Sequence, residues 1–316
     1  MQDVLVIGAG VSGLSCGIRL LEAGYRVRIW ARDLPQQTTS GVAAAVWYPY
    51  KAYPEDLVVG WSRVTYTELM ALRHDPATGI LVRTGLEIFP WPVDEPWWGA
   101  AVPGYRRIAA HELPAGYVDG YVFDAPVVEM PIYLRYLQQR FEQLGGAIEV
   151  RTLSSLAEAV TTSPLVVNCS GLGARELAPD ASVFPIRGQV VRVAQVGLSN
   201  FVLDDYGPRG IAYIIPRNDD CILGGTAEDG AEELAPDAHT AEAIQARCQA
   251  LEARLGTAAV LEHKVGLRPG RPTVRVERES LANGQAIVHN YGHGGAGITL
   301  SWGCADEVVR LVRGVG

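Results

Sequence analysis

The feature that most constrains this chain is its start. Asp3-Val-Leu-Val-Ile-Gly8-Ala-Gly10-Val-Ser-Gly13 is an apolar, β-rich run that passes directly into G-x-G-x-x-G and then into a helical pattern, Leu14 to Ala23. A second apolar run, Arg26 to Trp30, completes a β-α-β unit. In that setting Gly8 makes the tight turn, Gly10 lets a pyrophosphate approach, and Gly13 lets helix pack on strand. Ala9, Val11 and Ser12 carry the backbone into the anion-binding helix start. The spacing therefore predicts a dinucleotide site. The acid that usually ends the second strand is displaced, since Ala31-Arg32 stand there and Asp33 follows. An Arg32 that faces a phosphate keeps NADP open on this motif alone.

A second glycine-rich tract lies far along the chain: His289-Asn-Tyr-Gly292-His293-Gly294-Gly295-Ala296-Gly297-Ile298-Thr299, leading into the apolar run Leu300 to Val312. Its glycines let backbone approach a ligand, and the next helix can aim N–H groups at that ligand. The two tracts must meet in space.

At 316 residues the chain has material for two cores, and its net charge of −8 argues against nucleic acid or an anionic membrane as partner. Five cysteines, Cys16, Cys169, Cys221, Cys248 and Cys304, are odd in number and scattered without CxxC spacing. That supports neither a disulfide framework nor a zinc site; buried thiols are expected. Met1-Gln2-Asp3 brings no basic n-region, and glycines break the first apolar run. The expected compartment is the cytoplasm and the expected partner a small molecule.

The α/β rhythm stops after Tyr50. A helix is expected over 56–73, short β-rich pieces at 80–89, 105–109 and 117–123, and a helix over 133–144 entered through Pro131 and left through Gly145-Gly146. The α/β order resumes at 147–150 and 165–171. Antiparallel strands are expected at 185–196, 211–215 and 221–225, then a helix over 239–255. The predicted fold class is α/β, α+β overall. A discontinuous Rossmann-like dinucleotide domain (1–55, 145–184 and 286–316) carries an inserted substrate-binding domain of mixed and antiparallel sheet (56–144 and 185–285).

Three segments lead from dinucleotide to reaction. In Thr38-Thr39-Ser40-Gly-Val-Ala-Ala44-Ala45-Val46-Trp-Tyr48, hydroxyls and small residues precede an aromatic cluster, as suits a loop that binds phosphates and then a ring. Tyr213, in Ala-Tyr213-Ile-Ile-Pro216, alternates with inward apolar positions of a strand. In Gly266-Leu-Arg268-Pro-Gly-Arg271-Pro, prolines stiffen the chain around two arginines. The apolar strand leading into Arg268 suggests a forked donor held near a buried site.

In order along the chain, V-I-G-A-G-V-S-G-L, T-T-S-G-V-A-A, W-Y-P-Y, V-V-N-C-S-G-L-G-A, R-G-Q, Y-I-I-P, L-G-G-T, G-L-R-P-G-R-P, R-V-E-R-E, H-N-Y-G-H-G-G-A-G-I-T and W-G-C-A resemble the D-amino-acid oxidases over nearly the whole length. The resemblance implies a non-covalent FAD flavoprotein. Such an enzyme oxidises D-amino acids by hydride transfer from the α-carbon to flavin N5, with dioxygen as acceptor, giving 2-oxo acid, ammonia and hydrogen peroxide. The resemblance assigns the FAD to Gly8, Ala9, Gly10, Val11, Ser12, Gly13, Arg32, Asp33, Thr38, Thr39, Ser40, Ala44, Ala45, Val46, Leu153, Ser170, Gly171, Gly294, Gly295, Ala296, Gly297, Ile298 and Thr299. It gives Arg268 the substrate α-carboxylate, Tyr213 a hydrogen bond to it, and the Gly295 carbonyl the substrate amine. With the substrate held at both ends, catalysis is mostly orientation and no protein base is required. His289 and His293 are then structural or flavin-contacting. A homodimer is also implied.

Departures from the family pattern concern the pocket. Arg209 stands where mammalian members carry a second tyrosine on a lid, Tyr48 replaces a glutamine, and Val46 reshapes the wall. An inward Arg209 would favour acidic side chains, as in the D-aspartate oxidases. A solvent-facing one leaves neutral and apolar D-amino acids favoured. A glycine or sarcosine oxidase would share the FAD motifs without Y-I-I-P and R-P-G-R-P, and a nucleotide-sensing module would keep the cradle without the chemistry.

Overall fold

Two sheets divide the chain, and the computed structural model describes residues 2–49, 51–99, 102 and 104–314. Tyr50 of the W-Y-P-Y motif lies outside the described residues. β1 (Asp3–Ile7), α1 (Val11–Glu22) and β2 (Arg26–Ala31) form the expected β-α-β unit. Next come α2 (Glu55–Leu72), β3 (Ile80–Phe89), β4 (Arg106–Arg107), β5 (Asp119–Val128) and α3 (Met130–Gln143). The α/β order returns with β6 (Ala147–Val150), α4 (Leu156–Thr162), β7 (Leu165–Asn168) and α5 (Ala174–Leu177). Five strands follow: β8 (Phe184–Ala194), β9 (Phe201–Asp204), β10 (Ala212–Pro216), β11 (Asp220–Gly224) and β12 (Glu228–Asp229). The last elements are α6 (Ala238–Leu251), β13 (Val260–Gly270), β14 (Arg275–Ser280), β15 (Ala286–Tyr291) and α7 (Gly297–Val312).

The first sheet has the order β14-β15-β7-β1-β2-β6 and is parallel except for β14. The second has the order β12-β8-β11-β10-β9-β3-β5-β4, with β13 also on β8; only the β3–β9 pair in it is parallel. One core runs from Leu14 and Ile29 of the first layer through Trp47 to Phe123, Leu134 and Trp302. α7 packs on both α1 and α2, and Trp302 donates its indole N–H to Tyr133 at 2.8 Å, with Arg19 lying over its ring at 4.6 Å. The two glycine tracts are thereby brought to one side of the molecule.

Three sequence expectations change. Residues 275–280, placed in the substrate-binding segment 185–285, form β14 and pair with β15 in the first sheet. β15 is buried throughout, so its open side needs a cover, and a strand rich in Arg and Glu supplies a soluble edge. The helix expected to reach residue 255 ends at Leu251, with a 3₁₀ turn over Ala253–Thr257. β9 was not expected at all; it sits between β3 and β10 and sets the spacing of the substrate face.

Candidate active site

β1 has β2 on one side and β7 on the other, so the chain connections diverge at its carboxyl end and leave a crevice, the position where open α/β sheets take nucleotides. Gly8 has φ +105°, and a Cβ there would lie 2.4 Å from the Cys169 carbonyl oxygen; one on Gly13 would lie 1.9 Å from the Gly8 carbonyl oxygen. Backbone packing therefore demands both. Gly10 differs, because a Cβ there would meet only the Ser40 and Thr38 side chains, nearest at 3.2 Å. Ser40 Oγ accepts the Val11 N–H at 3.1 Å, with Ala9 buried and Ser12 half-buried alongside. Thr38 donates to the Pro35 carbonyl at 2.7 Å and Thr39 to the Leu267 carbonyl at 3.0 Å, tying this loop to β13 just before Arg268. Farther on, Ala44 is half-buried, Ala45 takes a left-handed φ of 61°, and Val46 bridges to Val127 of β5.

After β6, Leu153 packs half-buried against the Leu5–Ile7–Trp30 cluster. After β7, the Ser170 N–H donates to Asn168 Oδ1 at 3.2 Å while the Ser170 hydroxyl is buried with no hydrogen-bond partner among the described residues. Gly171 has φ +57° and faces Pro269. A helix N-terminus, a bank of hydroxyls and an orphaned Ser170 hydroxyl fit the phosphates and ribitol of FAD. Arg32 is exposed and pairs with the half-buried Asp33 at 2.8 Å, so the Arg32 charge that kept NADP open is engaged by its neighbour.

The second glycine tract divides. Gly292 makes room for Arg271, since a Cβ there would lie 2.8 Å from that side chain, and it also lines the cavity described next. Gly294, with φ +53°, has open space where a Cβ would stand, and Gly294 and Gly295 line a cavity of about 260 Å³ with Lys51, Ile186 and Arg268. Ala296, Ile298 and Thr299 are buried and Gly297 opens α7. Thr299 Oγ1 donates to the Tyr48 carbonyl at 2.8 Å and accepts the Tyr48 N–H at 3.1 Å, which closes the site between segments 251 residues apart.

Tyr213 and Arg268 come from β10 and β13, with β11 and β8 between them in the sheet. Tyr213 pairs with Gly224 and Gly224 with Val190; Arg268 pairs with Ile186, on the same face of β8 as Val190 and Gly188. Both side chains lean inward over glycine. A Cβ on Gly224 would fall 1.9 Å from the Tyr213 ring, and one on Gly188 would fall 2.4 Å from the Arg268 guanidinium. The glycines of R-G-Q and L-G-G-T thus let phenol and guanidinium meet across two strands. Arg268 donates to the Thr226 carbonyl at 3.0 Å, and no carboxylate forms a salt bridge with it among the described residues. Burial holds the Tyr213 phenol above its ordinary pKa, with Arg268 pulling the other way.

Farther along the same row, Glu87 of β3 pairs with Leu203 of β9, which pairs with Tyr213. Glu87 accepts from the Tyr48 hydroxyl, and its Oε2 is buried without a hydrogen-bond partner among the described residues. Burial, with Asp205 adding and Tyr48 opposing, raises Glu87 to about 8. Asp205, just after β9, is raised to about 6 by burial against the pull of Lys51 and Arg268. Lys51, Glu87, Asp205 and Thr226 were missed by sequence reasoning. An acid inside the apolar run Leu86-Glu87-Ile88-Phe89 was the available signal for one of them.

Arg209 is exposed and its charge acts on Tyr117. His289 is held between Asn168 and Glu279 at 3.3 and 3.0 Å, and His293 bonds Asn290 at 3.0 Å, with burial lowering it to about 4. Both histidines thus have interior structural partners. All five cysteines are free and buried, and no helix among the described residues is long and apolar enough to cross a membrane.

The chain is 56% identical over 308 residues to a D-amino-acid oxidase of Rubrobacter xylanophilus, covering 97% of this chain and 94% of that one. It is 39% identical over 324 residues to a D-aspartate oxidase of Homo sapiens, covering 98% and 94%. Glycine oxidase from Geobacillus kaustophilus shares the fold at a TM-score of 0.83 and 18% identity, covering 100% of this chain and 96% of that one. The model for FAD dependent oxidoreductases matches residues 3–311, and the chain belongs to that family.

Proposed function

We propose that this protein is a D-amino-acid oxidase in which Arg268 and Tyr213 hold the substrate carboxylate and the Gly295 carbonyl takes the amine. The observation that carries this reading is a half-buried guanidinium with no salt-bridge partner among the described residues, fixed by one carbonyl beside a buried phenol and lining a cavity. A carboxylate leaving water needs such a fork. FAD, when bound, supplies the two-electron acceptor, and dioxygen restores it. The protein's part is to fix the substrate at carboxylate and amine, so that the α-hydrogen points along the reaction path in the D enantiomer only, and to keep water from the reacting carbon. His289 and His293, bonded to interior partners, leave orientation rather than a protein base as the source of rate. The 2-imino acid formed then takes up water to give 2-oxo acid and ammonia.

Lys51 favours a second reading, D-aspartate oxidation, because it lines the same cavity as Arg268. Its charge is drawn by Asp205. Anaerobic addition of D-alanine should bleach the yellow flavin spectrum, with L-alanine inert and D-aspartate far slower. Bleaching by L-alanine alone would sink the proposal; fastest bleaching by D-aspartate would select the second reading.

A further inference from the structure

We infer that Arg187 and Gln189, on the far side of β8 from the site, are positioning residues for the substrate-binding arginine: they grip segment 226–237, and the first carbonyl of that segment is the one that holds Arg268. This rests on the reading of Arg268 as carboxylate anchor. Side chains alternate along a strand, so R-G-Q sends Arg187 and Gln189 to one face of β8 and leaves Gly188 on the other, beneath the Arg268 guanidinium. The far face carries the core packed under α6, from Val191 and Val193 to Ile244. One short motif therefore serves both faces of the sheet.

Arg187 is 5% exposed and Gln189 fully buried, and neither lines the cavity that Arg268 borders. All three guanidinium nitrogens of Arg187 donate: Nε to the Glu233 carbonyl at 2.7 Å, Nη1 to Glu228 Oε2 at 3.0 Å, and Nη2 to the Ala235 carbonyl at 2.9 Å and to Gln189 Oε1 at 3.2 Å. Gln189 ties both ends of the same segment. Its backbone N–H donates to Thr226 Oγ1 at 2.9 Å, its Nε2 donates to the Asp237 carbonyl at 2.6 Å, and its Oε1 accepts the Asp237 N–H at 2.9 Å. Between those ends β12 pairs with Ile186 and Arg187, and the Gly230 N–H reaches the Pro185 carbonyl at 2.8 Å. The course of segment 226–237 is thus set by β8.

That course fixes two things at the site. The Thr226 carbonyl takes an N–H of Arg268 at 3.0 Å, which leaves the other N–H groups of the fork to the Tyr213 phenol and a carboxylate. Ala227 and Asp229, from the same segment, form part of the cavity wall beside Arg268. Stability alone does not call for a buried arginine here, since apolar residues of like volume often do as well as a buried ion pair. What the fork of Arg187 supplies is a fixed position, and a displacement of about 1 Å at a binding group can cost about a hundredfold in rate.

The test measures kcat and KM for D-alanine, Kd for propanoate from the flavin absorbance shift, and bound FAD, in the holoenzyme and in Arg187→Met, Thr226→Val, Arg268→Met and the combination of Arg187→Met with Arg268→Met. Arg187→Met should raise KM and the propanoate Kd together, by about tenfold, with kcat within about threefold of the parent and FAD retained. Thr226→Val removes only the acceptor for the Gln189 N–H and should raise both by about threefold. On an enzyme that already carries Arg268→Met, adding Arg187→Met should change kcat/KM by less than about twofold, because the group it positions is gone. A merely structural arginine would instead give the same factor with and without Arg268, and that result overturns the proposal. So does an Arg187→Met enzyme whose KM stays within about twofold of the parent. If Arg187→Met fails to fold, Thr226→Val with and without Arg268→Met decides by the same comparison. An Arg268→Met enzyme with the parent's KM would overturn the reading beneath the proposal.

Discussion

Two arginines three residues apart live in opposite surroundings. Arg271 donates to Asp180 at 3.0 Å and to the Thr273 carbonyl at 2.7 Å, and Asp180 also takes the Tyr291 hydroxyl at 2.8 Å. Arg268 donates to the Thr226 carbonyl and lies against the Tyr213 phenol, with no salt bridge among the described residues. Both border the cavity, yet one charge is salt-bridged within the fold, while the other acts on Asp205 without a salt bridge among the described residues. The difference is a matter of register. Arg268 lies over Gly188 of the second sheet, whereas Arg271 fills the gap left by Gly292 of the first. A stabilising arginine and a binding arginine can therefore share one short motif.

The sharpest way to break this contrast is Arg268→Met. It should lower kcat/KM for D-alanine about a thousandfold, mostly through KM, because the substrate carboxylate would be buried without its partner. Flavin content and fold should be kept; an unchanged KM would make the two arginines equivalent. Gly188→Ala comes next. The new Cβ would displace the end of a flexible guanidinium rather than backbone, so activity should fall about tenfold to a hundredfold through misplacement. Its melting temperature should hold, and a variant that melts early instead would place Gly188 in the scaffold.

Arg271→Met should reverse the pattern, leaving KM alone while removing about 2 kcal/mol of stability. Burial works against ionisation of Asp180, yet Ser182, Tyr291 and then Arg271 hold its carboxyl well below the ordinary 3.8. A depressed carboxyl stabilises the fold above its unfolded pKa and loses that contribution as pH falls. The stability gap between parent and variant should thus hold at about pH 4 and narrow only as pH falls well below it, and urea titrations down that range would show a constant gap if the pairing is irrelevant. The smallest effect is expected of Thr299→Val, about 1 kcal/mol from the lost bonds to Tyr48. A loss of kcat/KM for D-alanine beyond about tenfold would show that Thr299, through its bonds to Tyr48, also holds the site in shape.

The first β-α-β unit was legible because hydrophobic pattern, glycine spacing and helix signal agree within twenty residues. Arg268 and Tyr213 were legible as residues, through motif and resemblance. Their meeting was not, since it depends on the register of four strands and on glycines in two other motifs. β14 was assigned to the wrong sheet because its alternating charges mark an edge without saying which edge. Gly292 was read as ligand-facing and it does line the cavity, but a missing Cβ did not reveal that Arg271 fills its place. Glu87 carried a local signal, an acid at an inward strand position, but only the Tyr48 hydroxyl beside it gives that acid a purpose.

β15 is inserted between β14 and the mid-chain β7, and α7 packs on α1 from the opposite end of the described chain. During synthesis β7 must wait with an open parallel edge while more than a hundred residues are added. Pairing at such separation is slow, and bare edges invite contacts between chains. Yield of folded protein should therefore depend on growth temperature and chaperone supply more than on the strength of either core.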